Sequence, residues 1–141
     1  MSKIQQIIQF LQLQLGHPYK WNEKDGDPGW DCSGLTKAAY AVGGIDLPDG
    51  SYNQEKLGRA IPVETARMQP SCLIFKRNNH NGQVHHVACV VDKGDLIEAG
   101  SRFSRTIAGV TYSPGVIRRP FDYREWDEAK KHDILFEEEQ P

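Results

Sequence analysis

Cys32 is the residue best placed to do chemistry, because the run Trp30-Asp31-Cys32-Ser33-Gly34-Leu35 sets a thiol where an apolar helix begins. The first amide N–H groups of a helix have no internal acceptor and carry partial positive charge, which favours thiolate over thiol. Nucleophilicity follows the thiolate. The competing reading is a small buried hydrophobe, the ordinary state of a free cysteine. A nucleophilic cysteine needs a histidine and an orienting group from elsewhere in the chain. Val84-His85-His86-Val87-Ala88-Cys89-Val90-Val91 offers two imidazoles on one valine-rich strand, and Glu98 on the following strand can accept an imidazole N–H.

Strand alternation separates the two histidines, sending His86, Ala88 and Val90 to one face and His85, Val87, Cys89 and Val91 to the other. Hairpin register then selects the base. A three-residue loop Asp92-Lys93-Gly94 pairs Val91 with Asp95 and sets Glu98 opposite Ala88. Glu98 is then diagonal to His86, within the roughly 7–8 Å that long side chains bridge. A two-residue loop at Lys93-Gly94 would place Glu98 opposite Cys89, on the face of His85. The three-residue loop is preferred because it asks for positive φ only at Gly94, whereas the alternative also asks it of Lys93.

The elements that must position these groups read as helix, loop, helix, then strands. Ile4, Ile7, Ile8, Leu11 and Leu15 form the apolar stripe of an N-terminal helix ended by Gly16 and Pro18. Its interspersed glutamines, Gln5, Gln6, Gln9, Gln12 and Gln14, and the lack of a small-residue cleavage site argue against a secretory signal. The stretch from Gly16 to Trp30 reads as an ordered loop leading into the thiol. Leu35, Ala38, Ala39 and Val42 recur at helical spacing, and Gly43-Gly44 stops a helix of about three turns from Ser33. After the turn Leu47-Pro48-Asp49-Gly50 the chain is irregular to Pro70. Strands follow at Ser71 to Phe75, Gln83 to Val91 and Leu96 to Ala99, with weaker ones at Gly109 to Tyr112 and Val116 to Arg119. Helices first and strands after, joined by hairpin-length connections, predict an α+β domain whose antiparallel sheet packs on the Cys32 helix. Residues 123–141 read as a last helix or a charged tail with a solvated Glu137-Glu138-Glu139 end.

Composition narrows the function. The 141 residues fit one domain, 1–141, with a real core. Seventeen Lys and Arg against nineteen Asp and Glu leave a net charge of −2, which gives no electrostatic footprint for nucleic acid or an anionic membrane. No window nears the ~20 apolar residues of a membrane span. The three cysteines show no zinc or redox spacing; Cys72 and Cys89 sit among apolar strand residues and read as core. His80, His85, His86 and Cys89 do not make a metal site, since His85 and His86 point to opposite faces. His17 and His132 read as solvent-facing or locally bonded, and Tyr19, Trp21 and Trp30 as core aromatics or a cleft wall.

Six motifs in order resemble the NlpC family of papain-like cysteine peptidases, which cut the stem peptide of bacterial peptidoglycan. They are Leu15-Gly16-His17-Pro18-Tyr19-Lys20-Trp21, Asp31-Cys32-Ser33-Gly34-Leu35, Ile45-Asp46-Leu47-Pro48, Ser51-Tyr52-Asn53-Gln54, His86-Val87-Ala88 and Ile97-Glu98-Ala99, spanning residues 15 to 99. The resemblance implies a papain-like fold, Cys32 as nucleophile, His86 as base and Glu98 at the position that orients the base, where relatives usually carry His, Asn or Gln. It implies that Tyr19 helps hold the oxyanion and that Asp31 and Ser33 contact the substrate amine. The implied bond joins D-glutamate through its side chain to a diamino acid, with no metal or organic cofactor. Departures are Ser71-Cys72 where relatives have Gly-Asp, and Asn22 where they have glycine after the Tyr-x-Trp.

The expected partner is therefore the peptidoglycan stem peptide, with neither nucleic acid nor a membrane span, and the expected state is a monomer. Made in the cytoplasm without a signal, such a domain would act on the wall after release or injection, or remain cytoplasmic. A phage or prophage lysin or a tail-associated enzyme is the leading expectation, with a phage structural partner. The alternatives are an injected effector with an immunity protein, an intracellular muropeptide-recycling amidase, and a non-catalytic wall-binding or phage structural module.

Overall fold

The computed structural model describes residues 1–20 and 29–138. Trp21, Asn22 and most of the loop before the thiol, as well as Glu139, lie outside them. Helix α1, Lys3–Leu13, starts with a reciprocal cap between Ser2 and Gln5 and buries Ile7 and Leu11. It ends before Leu15, which is exposed rather than part of the stripe. Helix α2, Cys32–Val42, opens on an Asp31 cap. Its inner face carries Leu35, Ala39 and the fully buried Tyr40, while Val42 is turned out. Full burial of Leu35 alone contributes roughly 2 kcal/mol. The Tyr40 hydroxyl donates to the Ser71 carbonyl, which ties α2 to the sheet.

The segment expected to be irregular holds a short helix α3, Ser51–Gln54, a strand β1, Arg59–Ile61, and a 3-10 turn, Val63–Met68. The remaining strands are β2, Leu73–Arg77; β3, Val84–Val90; β4, Asp95–Ser101; β5, Arg105–Ile107; β6, Val110–Tyr112; β7, Gly115–Pro120; and β8, Glu128–Lys131. Six of these eight strands form one antiparallel sheet in the order β1-β8-β2-β3-β4-β7, and β5-β6 make a separate hairpin. The first core strand begins at Leu73, two residues later than expected, because Ser71 is a turn residue with φ of 80°.

The C-terminal expectation needs correction. Residues 123–138 supply a 3-10 turn at Tyr123–Glu125, then β8, and only then a helix α4, Asp133–Glu138. Strand β8 was hidden because it reads Glu-Ala-Lys-Lys and shows no apolar alternation. Glu138 is no solvated tail, for its carboxylate accepts the amide N–H groups of Lys3 and Ile4 at 2.8 and 3.0 Å and so caps α1. His132 is half-buried, edge-on to Tyr40 at 5.3 Å, rather than facing solvent.

Both faces of the sheet are covered. Leu73, Phe75, Val87, Cys89, Val91, Ile97, Ala99 and Val116 meet the helices. Ile74, Ala88, Val90, Leu96 and Ala129 meet Ala66, Phe121 and Trp126 on the other side. Cys72 and Cys89 are fully buried, as expected. The hairpin register is the expected one, with Cys89 opposite Ile97, Val90 opposite Leu96, and the Val91 N–H donating to Asp95. The reason given for it is not, because Lys93 as well as Gly94 takes positive φ, at 61° and 75°. Arg118 supplies the missing reason: it grips the Asp92 carbonyl and the Asp92 and Asp95 carboxylates at 2.8 to 3.0 Å. Those bonds offset the modest cost of a left-handed lysine.

Candidate active site

Asp31 decides where α2 begins and therefore where the thiol stands. Its backbone is extended (φ −91°, ψ 175°), and its Oδ1 accepts the Gly34 N–H at 2.6 Å, a charged helix cap. Its carbonyl accepts the Leu35 N–H, so the amides of Cys32 and Ser33 precede the first intrahelical acceptor. Cys32 is half-buried and lines an open groove of about 480 Å³ together with Tyr19, Asp31, Ser33, Tyr52, Asn53 and His85.

The loop carrying Tyr19 is fixed by backbone bonds on both sides. Lys20 N–H donates to Trp30 and Trp30 N–H to Pro18, at 2.8 and 3.0 Å. Gly29 is required there, since a Cβ would strike the Pro18 carbonyl. Trp30 is core, packed edge-on to Phe10 with its indole N–H on Gln14, whereas Tyr19 faces the groove. Burial, together with the negative charge of Cys32 and Asp31, pushes the Tyr19 hydroxyl up to about 12 against the opposing pull of Arg102. It stays a neutral donor beside the sulfur.

His86 reaches Cys32 from the sheet. Its Nε2 lies 2.6 Å from Glu98 Oε1, leaving Nδ1 as the ring nitrogen for its side-chain hydrogen bond to Cys32. Burial opposes charge on the ring, yet those two bonds and the negative charge of Cys32 and Glu98 raise it to about 9. Glu98 has no exposed side-chain surface. Burial works against its ionisation and is outweighed by hydrogen bonds and charge from His86 and Arg119, which hold the carboxyl well below the usual range. Behind the sulfur, imidazole, carboxylate and guanidinium thus form a row of alternating charge.

Among the candidates, Trp21 alone lies outside the described residues. Cys32, His86 and Glu98 converge; Tyr19, Asp31 and Ser33 line the groove beside the sulfur. Sequence reasoning missed four features. A bulge in β3, where Lys76 pairs with His86 but Arg77 pairs with Val84, makes His85 the extra residue and turns it into the groove. Gln54, fully buried, donates to the carbonyls of Ser33 and Pro48 at 3.0 Å and lies 2.7 Å from the Thr36 hydroxyl, fastening α3 to the start of α2. Arg119 donates to Glu98 Oε2. Trp126 stacks on His86. The sequence held no more signal for Arg119 than its place at the end of a weak strand candidate, Val116 to Arg119.

The NlpC/P60 family profile matches residues 16–123. The murein DD-endopeptidase MepH of Escherichia coli K12 is 32% identical over 90 residues, 63% of this chain and 33% of that protein. The gamma-D-glutamyl-L-lysine dipeptidyl-peptidase of Bacillus cereus is 38% identical over 94 residues, 66% of this chain and 27% of that protein. This chain therefore spans a third or less of the length of those relatives. An NlpC/P60 family protein from Bacillus cereus superposes with a TM-score of 0.76 at 28% identity, covering 92% of this chain and 40% of its own. The NlpC/p60 domain of the peptidoglycan hydrolase SagA gives 0.71 at 27% identity, covering 91% and 97%. With three quarters of its residues matched by one profile and its helices and six-stranded sheet arranged as in those structures, the chain belongs to the NlpC/P60 family.

Proposed function

We propose that this protein is a cysteine endopeptidase that cleaves an amide bond in the stem peptide of peptidoglycan, with Cys32 as nucleophile, His86 as base and acid, and Glu98 as the group that orients the imidazole. The observation that carries the reading is the convergence of thiol, imidazole and buried carboxylate at the groove. His86 takes the thiol proton, and the sulfur adds to the amide carbonyl carbon. The oxyanion is met by the Cys32 amide at the helix start and the neutral Tyr19 hydroxyl. His86 gives its proton to the leaving amine as the C–N bond breaks. Water, deprotonated by His86, then adds to the thioester and releases the acid and the thiol. Asp31 and Ser33 beside the sulfur suit an amine on the substrate.

The bond proposed is the γ-D-glutamyl link to a diamino acid, in line with the motif resemblance and with the printed activity of the Bacillus cereus relative. The test is mass spectrometry of purified peptidoglycans of differing stem chemistry after digestion by wild type and Cys32→Ala. New amine and acid termini at one stem bond with wild type, and none with Cys32→Ala, are expected. Binding without cleavage by wild type on every wall type would replace the enzyme with a wall-binding module.

A further inference from the structure

We propose that Arg119, gripped from behind by Glu125, is the positioning residue that keeps the Glu98 carboxylate aimed at His86. The inference rests on the cysteine-peptidase reading of Cys32 and His86. Arg119 lies on β7 with 2% of its side chain exposed. Its Nε donates to Glu98 Oε2, while Nη1 and Nη2 donate to the two oxygens of Glu125 at 2.6 and 2.5 Å. Glu125 is in turn held by Lys76 Nζ at 2.6 Å. Lys76, Arg119 and His86 share one wall, the Trp126 ring, with Lys76 at 4.7 Å and Arg119 at 5.8 Å from its centroid and His86 stacked at 5.7 Å.

The arrangement answers a difficulty that a carboxylate creates in this place. A buried acid with one imidazole partner is free to neutralise or to rotate about its last bond, and either change removes the acceptor from Nε2. A planar guanidinium with both ends engaged cannot follow such a rotation, so it fixes Oε2 and leaves Oε1 to the imidazole. Arg105 Nη2, on β5, also reaches Oε2 but at 3.2 Å and with 26% of its side chain exposed, so it is the weaker hold.

The sign of one effect separates positioning from bare charge. The charged or titratable groups around His86 are Cys32 on α2, Lys76 on β2, its neighbour His85, Glu98 on β4, Arg105 on β5, and Arg119 and Glu125 behind Glu98. As a mere cation Arg119 disfavours imidazolium, so its removal would move the His86 ionisation alkaline. As a clamp it sustains the acceptor that favours imidazolium, so its loss moves that ionisation toward acid.

The test is the pH dependence of Cys32 alkylation by iodoacetamide in the full chain, which needs no wall substrate and is selective because Cys72 and Cys89 are fully buried. Wild type should show an inflection near 9 from His86. Arg119→Lys keeps the charge but not the fork, and should move the inflection toward acid by roughly one pH unit. Arg119→Met and Glu125→Gln should move it in the same direction. On stem-peptide fragments, Arg119→Lys should lower kcat on the order of 10- to 100-fold with KM within about twofold. An unmoved inflection in Arg119→Lys, an alkaline shift in Arg119→Met, or a loss wholly in KM would overturn the proposal. Should the Arg119 variants fail to fold, Glu125→Gln decides by the same shift. Alkylation shifts as expected in a protein that cuts no wall would sink the peptidase reading and leave the clamp standing.

Discussion

The rings of His86 and Trp126 stack with centroids 5.7 Å apart and planes 26° from parallel. Trp126 is 4% exposed and lies against the sheet face away from the helices, so the imidazole rests on core. Its buried indole N–H has no acceptor among the described residues, so the ring acts here as a flat apolar surface. Trp126→Phe should retain the stack and cost about 1 kcal/mol, whereas Trp126→Ala should cost about 3–5 kcal/mol. Thermal unfolding and hydrolysis rates of the two variants check this, and a Phe variant as slow as the Ala variant would show that stacking does not hold the imidazole.

The Glu98 charge sets the alkaline edge of activity. Glu98→Gln keeps an acceptor but removes the negative charge, so the His86 ionisation should fall from about 9 toward its ordinary 6.5. The pH–rate profile should lose its alkaline side first. The stability of wild type follows by linkage. His86, raised, contributes stability that is complete below 6.5 and lost as pH rises through about 9. Glu98, depressed, contributes above its ordinary 4.5 and loses that contribution as pH falls through its lower folded value. Unfolding temperatures measured across this range should therefore peak between the two ordinary values for this pair, and Glu98→Gln should flatten the decline toward pH 9.

Ser71 is a site of stored strain. It is fully buried at φ 80°, and its hydroxyl has no partner among the described residues. Its backbone is held by Val90, Tyr40 and Cys89, so the chain cannot relax. Ser71→Gly removes a left-handed penalty of roughly 1–2 kcal/mol and a desolvated hydroxyl worth ~1–3 kcal/mol, against ~0.5–1 kcal/mol of backbone entropy. The variant should be more stable by about 1–4 kcal/mol in urea unfolding. Equal or lower stability would show that the hydroxyl or the Cβ packs usefully.

Gln54 couples the groove wall to the nucleophile helix. Gln54→Ala leaves the Ser33 and Pro48 carbonyls without its amide and the Thr36 hydroxyl without its carbonyl, at a cost of about 2–4 kcal/mol. KM for a stem-peptide substrate should rise, because Ser51, Tyr52 and Asn53 on α3 form one side of the groove. A variant with unchanged KM and stability would show α3 to be held otherwise.

Much of this was written locally in the chain. The cap Asp31, the small residues after Cys32 and the spacing of Leu35, Ala38 and Ala39 specify a helix that starts at the thiol, because capping and periodicity act within one or two turns. Period-2 alternation set His86 with Ala88 and Val90, and the expected hairpin register aligned Glu98 with it, although the turn reaches that register with Lys93 as well as Gly94 left-handed. Fold class and the three converging groups could therefore be read from the sequence.

The tertiary structure decided what depends on groups far apart in the chain. Lys93 takes a left-handed conformation because Arg118, 25 residues on, grips the acids on either side, which no local preference foretells. The strand Glu128–Lys131 exists because β1 and β2 flank it, not because its residues favour strands. Arg119, Glu125 and Trp126 meet Glu98 and His86 only once β7 lies beside β4, as backbone pairing aligns side chains whose sequence neighbours carry no trace of it. Short-range patterns fix helices, faces and hairpins, while the buried charge row behind His86 is set by strand order, which arises from the collapse of the whole chain.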